Sequence, residues 1–300
     1  MANFNYYFDR LAILAERAFL RLARITFAIL RLGRADDNKN RIIVYLKRKI
    51  RSKAFQIWYL PNHSLVGLTL TYYCNLKCYN CSVSSRQAPG EDNMTEEQVK
   101  KFINESIKAG RKWKRIYLIG GEPTLHPKIL AILNLLLEYK RDFSPVTEIT
   151  IVTNGFGSQV NQLLSRVPKD ISIFNSYKKS VIQNFCPFNM APLDLEEYKE
   201  MDFSKGCSIA SYCGIGLNTY GYYPCSVAAG MDRVLGFNLG KKVLPSIKDT
   251  MKNDFSIFCR YCGFFHGARE GKTTTKEEIS PFWKTVYSKI DAEKLNLTYY

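Results

Sequence analysis

Three cysteines stand within eight residues, in the stretch CNLKCYNC at residues 74–81. A tetrahedral zinc site takes four protein ligands, and a [4Fe–4S] cluster is usually held by four cysteines. Three cysteines in one loop would leave one iron of such a cluster without a protein ligand. An open coordination position is typical of a metal that does chemistry, so Cys74, Cys78 and Cys81 are candidate ligands of a catalytic cluster.

The other cysteines are concentrated in the last third of the chain. Five of them stand at residues 207–262: Cys207, Cys213, Cys225, Cys259 and Cys262. The N-terminus lacks the basic start, apolar run and small-residue cleavage site of a signal peptide. We therefore expect a cytoplasmic protein, in which clustered thiols favour metal binding over disulfides. Cys186, in NFCPF, is predicted to be a small buried hydrophobic residue.

Strand patterns alternate with helix patterns after Pro61, and the strands carry continuous apolar runs. This alternation predicts an α/β fold with a parallel sheet covered by helices. The cysteine loop, a GGEP loop and a TNG loop each follow one of the first three strands, so they should meet at the carboxyl edge of the sheet. The predicted elements are strand 65–73, helix 95–110, strand 115–121, helix 128–140, strand 148–155, helix 158–167, strand 170–176 and a hairpin in 213–226 that turns near Gly221.

The N-terminal fifth of the chain is strongly basic. Residues 1–60 hold thirteen Lys and Arg against four acidic residues, a net +9 of the total +16. Five arginines from Arg10 to Arg31 form one helical stripe beside apolar residues, and they exclude a membrane span. Such helices either pack on the main domain or contact anionic lipid head groups through residues 5–60. Nothing here resembles a groove-reading helix or an aromatic RNA-binding motif, so a nucleic-acid partner is disfavoured.

The first two motifs together carry a specific resemblance. The spacing Cys74-x3-Cys78-x2-Cys81 after one strand, with Gly120-Gly121-Glu122-Pro123 after the next, resembles the radical S-adenosylmethionine (radical SAM) superfamily over residues 64–190. The resemblance implies a partial (βα)6 parallel barrel of radical SAM type. It also implies that the three cysteines ligate three irons of a [4Fe–4S] cluster, while the amino and carboxylate groups of SAM chelate the fourth.

The resemblance assigns further residues to SAM. Gly120, Gly121 and Glu122 would hold the methionine amine, and Thr153 and Asn154 would contact the ribose. One position departs from the family, which usually has an aromatic residue immediately before the third cysteine. Asn80 occupies that position here, so we expect the packing around the adenine to differ.

The C-terminal cysteines resemble the SPASM and Twitch extensions of radical SAM enzymes, which carry auxiliary iron–sulfur clusters. The shorter Twitch form fits better, because the cysteines are too few for two further fully ligated clusters. The family spacing favours Cys207, Cys225, Cys259 and Cys262 as ligands of one auxiliary [4Fe–4S] cluster. Cys213 competes with Cys207, and a structural zinc site is the alternative for the whole set.

The resemblance implies that the reduced SAM-binding cluster cleaves SAM to a 5′-deoxyadenosyl radical, which abstracts hydrogen from a C–H bond of a small substrate. With the auxiliary cluster as electron acceptor, the expected reaction is dehydrogenation of an alcohol, with sugar-like or lipid-linked molecules as candidate substrates. Radical epimerisation, with Cys213 or Cys186 returning hydrogen, and peptide modification are the alternatives, and a non-catalytic metal-binding protein that contacts nucleic acid is a weaker one. The electron donor would be a flavodoxin or ferredoxin.

These assignments divide the chain into four regions. Residues 1–61 would form the basic helical extension, 62–200 the radical SAM partial barrel, 201–275 the Twitch-like segment, and 276–300 a helix or tail. We expect a cytoplasmic enzyme, with contact to the inner membrane surface if the basic helices bind lipid.

Overall fold

The computed structural model describes residues 56–90, 92–182, 188–266, 276–290 and 297–300. The predicted basic helical extension, with its lipid-contacting surface, spans residues 1–61. Its first 55 residues lie outside the described part of the chain. Within the described ranges, no helix is long and apolar enough to cross a membrane.

Six strands form one sheet in the order β4-β3-β2-β1-β5-β6. Neighbouring strands are parallel except β6, which runs antiparallel to β5. The turn between β5 and β6 is too short for the crossover that a parallel pair needs. The predicted α/β fold with a mostly parallel sheet is thus confirmed, as is the predicted hairpin. The strands are β1 (Leu65–Thr71), β2 (Arg115–Gly120), β3 (Glu148–Thr153), β4 (Ser172–Asn175), β5 (Ile215–Asn218) and β6 (Gly221–Tyr223).

The helices of the first half follow the predicted order. The first begins at a capping box, in which the Thr95 side chain accepts from the Gln98 N–H and the Gln98 side chain accepts from the Thr95 N–H. It ends before Gly110, which adopts a left-handed φ of 62°. The described helices are α1 (Glu96–Lys108), α2 (Ile129–Asp142), α3 (Ser158–Leu164), α4 (Ser208–Cys213), α5 (Ser226–Leu235), α6 (Lys252–Phe258) and α7 (Pro281–Tyr287).

Apolar side chains pack on both faces of the sheet. On one face, Leu68 and Leu70 of β1 are buried together with Phe102 of α1 and Ile132 of α2. A second cluster gathers Tyr223 of β6 with residues of α5 and with the fully buried Trp283 of α7. Alternate residues of a strand point to opposite faces, so a short sheet can support two such layers.

The sheet also joins the two cysteine-rich regions of the sequence. β5 pairs with β1 in parallel, with Val66 opposite Ile215. The first cysteine loop leaves the carboxyl end of β1, and the β5–β6 hairpin leads directly to Cys225, the residue that precedes α5. The sheet therefore fixes the position of the three-cysteine loop relative to Cys225, a member of the second cysteine-rich region.

Candidate functional site

The three-cysteine loop follows β1 and is held by backbone hydrogen bonds, one local and one to a distant segment. The Cys81 carbonyl accepts from the Ser84 N–H at 2.9 Å, and the Tyr79 N–H donates to the Val181 carbonyl at 2.9 Å. Cys78 is buried, while Cys74 and Cys81 are half-buried. The loop therefore presents three thiols in a partly enclosed setting.

Hydrogen-bond donors surround two of these thiols. The Leu76 N–H donates to Cys74 Sγ at 3.4 Å, and Asn154 Nδ2 lies 3.8 Å from the same sulfur. Lys178 Nζ lies 3.6 Å from Cys78 Sγ. Burial raises the pKa of the Cys74 thiol to about 12. Burial also raises the pKa of the Cys78 thiol, against the opposing charge of Lys178. A bound metal supplies the positive charge that converts such thiols to thiolates.

The GGEP loop lies against the backbone of the cysteine loop. The Gly121 N–H donates to the Thr71 carbonyl at 2.8 Å, and the Glu122 N–H donates to the Tyr73 carbonyl at 2.9 Å. A Cβ at Gly120 would lie 2.4 Å from the Thr71 oxygen, and one at Gly121 would lie 2.2 Å from the Tyr73 oxygen. Both positions require glycine because any side chain would separate these loops.

Glu122 is fully buried and joins the GGEP loop to the TNG loop. Its Oε1 accepts from the Thr124 N–H at 3.2 Å, from Thr124 Oγ1 at 2.7 Å and from Thr153 Oγ1 at 2.8 Å. Its Oε2 accepts from the Asn154 N–H at 2.7 Å. Each carboxylate oxygen has about two lone-pair positions, so three donors crowd Oε1 while Oε2 keeps one position. Glu122 thus positions two loops here, and its contact with the methionine amine stays a prediction.

The TNG loop reaches the cysteine loop through Asn154. Its Nδ2 donates to Asn75 Oδ1 at 2.9 Å, and its Oδ1 accepts from the Phe156 N–H at 2.7 Å. The predicted convergence of three loops at the carboxyl edge is therefore what the structure contains. The predicted ribose contacts of Thr153 and Asn154 stay predictions, since both side chains bind protein groups here.

Asn80 has a role that the sequence did not indicate. It adopts a left-handed φ of 51°, and its side chain is buried. Its Nδ2 donates to the Lys276 carbonyl at 3.3 Å, and its Oδ1 accepts from the Glu278 N–H at 3.0 Å. The residue in the usual aromatic position thus ties the cysteine loop to a segment about 200 residues away in sequence. Asparagine before the third cysteine, tolerant of this φ, was the one available signal.

His126, in the GGEP loop region, does not offer a reactive nitrogen. Its Nε2 bonds to the Met94 carbonyl at 2.9 Å, and its Nδ1 accepts from the Lys128 N–H at 3.1 Å. Burial lowers the pKa of its imidazole. It connects backbone segments instead.

A second group of thiols lines one small apolar cavity beside α5 and α6. Four cysteines lie on its wall: Cys207, Cys225, Cys259 and Cys262. Burial raises the pKa of Cys225 to about 12, and the neighbouring Cys207 adds to the rise. Burial likewise raises the pKa of Cys259, with contributions from Cys207, Cys262 and Cys225. The four sulfurs are therefore close enough to affect one another.

Cys207 and Cys213 occupy opposite ends of α4, which explains why only one lines the cavity. Cys207 precedes the helix and Cys213 is its last residue, exposed to solvent. Six residues of helix separate them by about 9 Å along the axis. Cys186, the other candidate hydrogen donor, lies outside the described residues.

Helix α7 connects the two groups of cysteines. Trp283 Nε1 donates to the carbonyl of Tyr261, within the Cys259–Cys262 pair, at 2.7 Å. The Tyr261 and Phe282 rings stack with centroids 4.5 Å apart. At the other side, the hydroxyls of Tyr287 and Ser84 lie 3.2 Å apart. The sequence left residues 276–300 open as helix or tail, and residues 281–287 form a docked helix.

In the described part of the chain, no group of three or more His, Cys, Asp or Glu side chains is arranged to hold a metal ion. An iron–sulfur cluster is wider than one ion, because each cysteine binds a different iron. The numbers of thiols, three in one loop and four around a cavity, match those expected for a SAM-binding and an auxiliary [4Fe–4S] cluster.

Comparison with known proteins places this site in a family. Residues 68–173 match the radical SAM superfamily. A probable GTP 3′,8-cyclase of Pyrococcus horikoshii is 34% identical over 88 residues, which are 29% of this chain and 26% of that protein. The GTP 3′,8-cyclase of Aliarcobacter butzleri is 28% identical over 106 residues, 35% of this chain and 29% of that protein. The chain thus matches less than a third of the length of these two relatives.

Among solved structures, BtrN in complex with AdoMet and 2-DOIA aligns with a TM-score of 0.39 and 12% identity, over 66% of this chain and 87% of that one. Streptococcus suis SuiB bound to S-adenosylmethionine aligns with a TM-score of 0.27 and 21% identity, over 52% of this chain and 34% of that one. The region matched by the superfamily includes both the CNLKCYNC loop and the GGEP loop. This chain therefore carries a domain of the radical SAM superfamily.

Proposed function

We propose that this protein is a radical SAM dehydrogenase that oxidises an alcohol of a small substrate with the help of an auxiliary [4Fe–4S] cluster. The observation that carries the proposal is the cavity walled by Cys207, Cys225, Cys259 and Cys262. A radical SAM domain alone supports many reactions. A second, fully ligated cluster favours those in which the substrate loses electrons.

The three-cysteine loop suits the SAM-binding cluster. Cys74, Cys78 and Cys81 would hold three irons, and the fourth would take the amino and carboxylate groups of SAM. This cluster would supply the electron that cleaves SAM to a 5′-deoxyadenosyl radical. Gly120 and Gly121 would expose backbone groups to the methionine, because they carry no side chain to cover them.

Four cysteines would complete the coordination of the auxiliary cluster and leave no iron open to SAM. Such a cluster suits electron transfer. In the proposed reaction, SAM would accept one hydrogen atom from the carbon that bears the hydroxyl, as 5′-deoxyadenosine. The auxiliary cluster would accept one electron and solvent one proton, which would leave a carbonyl. The apolar wall of the cavity would keep water from the cluster.

Sugar-like and lipid-linked alcohols are the proposed substrates, and a flavodoxin or ferredoxin is the proposed electron donor. If the basic residues 5–60 contact anionic lipid, a lipid-linked substrate gains support. The cyclase activity in the names of the relatives above is a property of proteins that this chain matches only in part, so we do not extend it to this protein.

Radical epimerisation is the second candidate, and one observation favours it. Cys213 is exposed, so its thiol hydrogen can exchange with water, and its charge affects Cys225. An epimerase would return that hydrogen to the substrate. Turnover in deuterium oxide separates the two reactions, because an epimerase places deuterium in the product and a dehydrogenase does not.

The first experiment is anaerobic iron and sulfide analysis with EPR of the reduced protein, for wild type and for a Cys74/Cys78/Cys81→Ala variant. We expect the variant to keep roughly four irons per chain while the SAM-responsive signal disappears. It should also fail to form 5′-deoxyadenosine from SAM with dithionite. Cys213→Ala is the matched control and should keep both clusters. A triple variant that holds zinc or no metal would contradict the auxiliary cluster and remove the basis for dehydrogenation.

A further inference from the structure

Lys178 is held next to the three-cysteine loop by the main chain. It lies three residues after β4, and its N–H donates to the Asn154 carbonyl at 2.8 Å. The preceding Tyr177 adopts a left-handed φ of 46°, which turns the chain back towards the sheet edge. The Ser176 N–H donates to the Thr153 carbonyl at 3.0 Å. The backbone of this lysine is therefore anchored on the TNG loop rather than on the cysteine loop.

The side chain of Lys178 reaches the buried thiol of Cys78. Nζ and Sγ are 3.6 Å apart, a normal distance for a hydrogen bond to sulfur. An ammonium group partly withdrawn from water acts on a nearby charge more strongly than one in bulk solvent.

The neighbouring sulfur has a different environment. Within the described residues, the hydrogen-bond donors to Cys74 Sγ are neutral: the Leu76 N–H at 3.4 Å and the Asn154 amide at 3.8 Å. A hydrogen bond that involves a full charge is about twice as strong as one between neutral groups. The cationic contact is therefore concentrated at Cys78.

Arg86 is a second cation beside this loop, next to the residue that precedes Cys78. Its guanidinium lies 3.3 Å from a Glu277 oxygen and donates to the Lys77 carbonyl at 2.9 Å. The carboxylate of Glu277 offsets part of its charge. Lys178, with Nζ directly on the sulfur, is the stronger candidate for control of this site.

We propose that Lys178 raises the reduction potential of the SAM-binding cluster by holding a positive charge against the Cys78 sulfur. The inference rests on the proposed function, because it requires a cluster on Cys74, Cys78 and Cys81. Reduction moves one electron from the flavodoxin or ferredoxin donor to the cluster, and no bond to Lys178 forms or breaks. A fixed positive charge stabilises the more negative, reduced cluster, and hydrogen bonds to the sulfurs act in the same direction.

The test is an anaerobic redox titration of the full chain, followed by the EPR signal that the triple cysteine variant lacks. Lys178→Met should shift the midpoint to a more negative potential, and Lys178→Arg should stay near wild type. Lys179→Met is the matched control, because it removes the same charge from the next, exposed residue. The midpoint potential of Lys179→Met should equal that of wild type.

Lys178→Gln separates charge from hydrogen bonding and serves if the Met variant fails to assemble. It keeps a donor near the sulfur but no charge, so its midpoint should also become more negative. If Lys178→Met or Lys178→Gln has the same midpoint as Lys179→Met, the inference is overturned while the proposed function stays intact. Absence of the signal from wild type would instead overturn the proposed function, and this inference with it.

Discussion

Glu122 shows how one buried side chain can organise the loops of a site. Its carboxylate is fully buried and receives four hydrogen bonds from Thr124, Thr153 and Asn154. A buried carboxylate without such donors would be strongly destabilising, because it loses the solvation of water. The four donors offset that cost, and they hold the GGEP and TNG loops together beside Cys74.

Replacing Glu122 with Gln should test this role. The amide has the same shape, but its NH2 group would face a donor, either the Asn154 N–H or a threonine hydroxyl. We expect a loss of about 1–3 kcal/mol in the free energy of unfolding, measured by urea denaturation. Glu97→Gln, at an exposed position on α1, should change stability by less than about 0.5 kcal/mol. Equal stabilities for the two variants would contradict the bridging role.

Among the secondary-structure elements, the decisive feature is how closely the ends of β1 and β2 approach each other. The GGEP loop can hydrogen-bond to the Thr71 and Tyr73 carbonyls only because Gly120 and Gly121 have no Cβ. The obstructing atoms are backbone oxygens, which cannot rotate away as a side chain could. A steric change at this point must move a whole loop.

Gly121→Ala should therefore displace the GGEP loop from the cysteine loop and reduce iron binding at the three-cysteine site. Gly110→Ala is the matched control, since a Cβ there meets nothing within 4 Å and the change strains only a left-handed φ. We expect Gly110→Ala to lose about 1–2 kcal/mol of stability and to keep its iron. Iron analysis and thermal unfolding of both variants provide the measurement. Full iron content in Gly121→Ala would show that the loops adjust.

At the scale of the whole molecule, α7 links the two cysteine sites. Trp283 is fully buried, packs against Phe188 with ring centroids 5.1 Å apart, and donates to the Tyr261 carbonyl. Tyr287 extends from the same helix to Ser84, just beyond Cys81. The relative position of the sites thus depends on the sheet on one side and on this helix on the other.

Trp283→Phe should lower the free energy of unfolding by about 1–3 kcal/mol, because it leaves the Tyr261 carbonyl without its indole donor. Lys284→Ala, at the next and exposed position of α7, should have an effect within about 0.5 kcal/mol. Chemical denaturation of the two variants measures the difference. A Trp283→Phe variant as stable as Lys284→Ala would mean that α7 does not support the Tyr261 segment.

Some features follow from local sequence because their causes are local. The apolar runs of β1, β2 and β3 form strands, and Thr95 and Gln98 start α1 with side chains three residues apart. The cysteine and GGEP loops lie at one edge because the carboxyl ends of parallel strands meet there. Strand 170–176 was predicted longer than β4, which spans Ser172–Asn175, and its residues are largely exposed at the edge of the sheet. An edge strand pairs with a neighbouring strand on one side only, and the sequence pattern does not show which strand lies at the edge.

The three-cysteine loop, the GGEP loop and the alternation of strands and helices can be predicted from the sequence, since each depends on residues within a few positions of one another. The tertiary structure distinguishes Cys207 from Cys213, which the sequence left in competition: Cys207 lines the cavity and Cys213 does not, because they lie at opposite ends of α4. It also decided the contacts of Lys178 with Cys78 and of Asn80 with Lys276, which join residues 100 and 196 positions apart. Such contacts depend on the order of strands in the sheet and on the docking of α7, which arise only when distant apolar faces pack together.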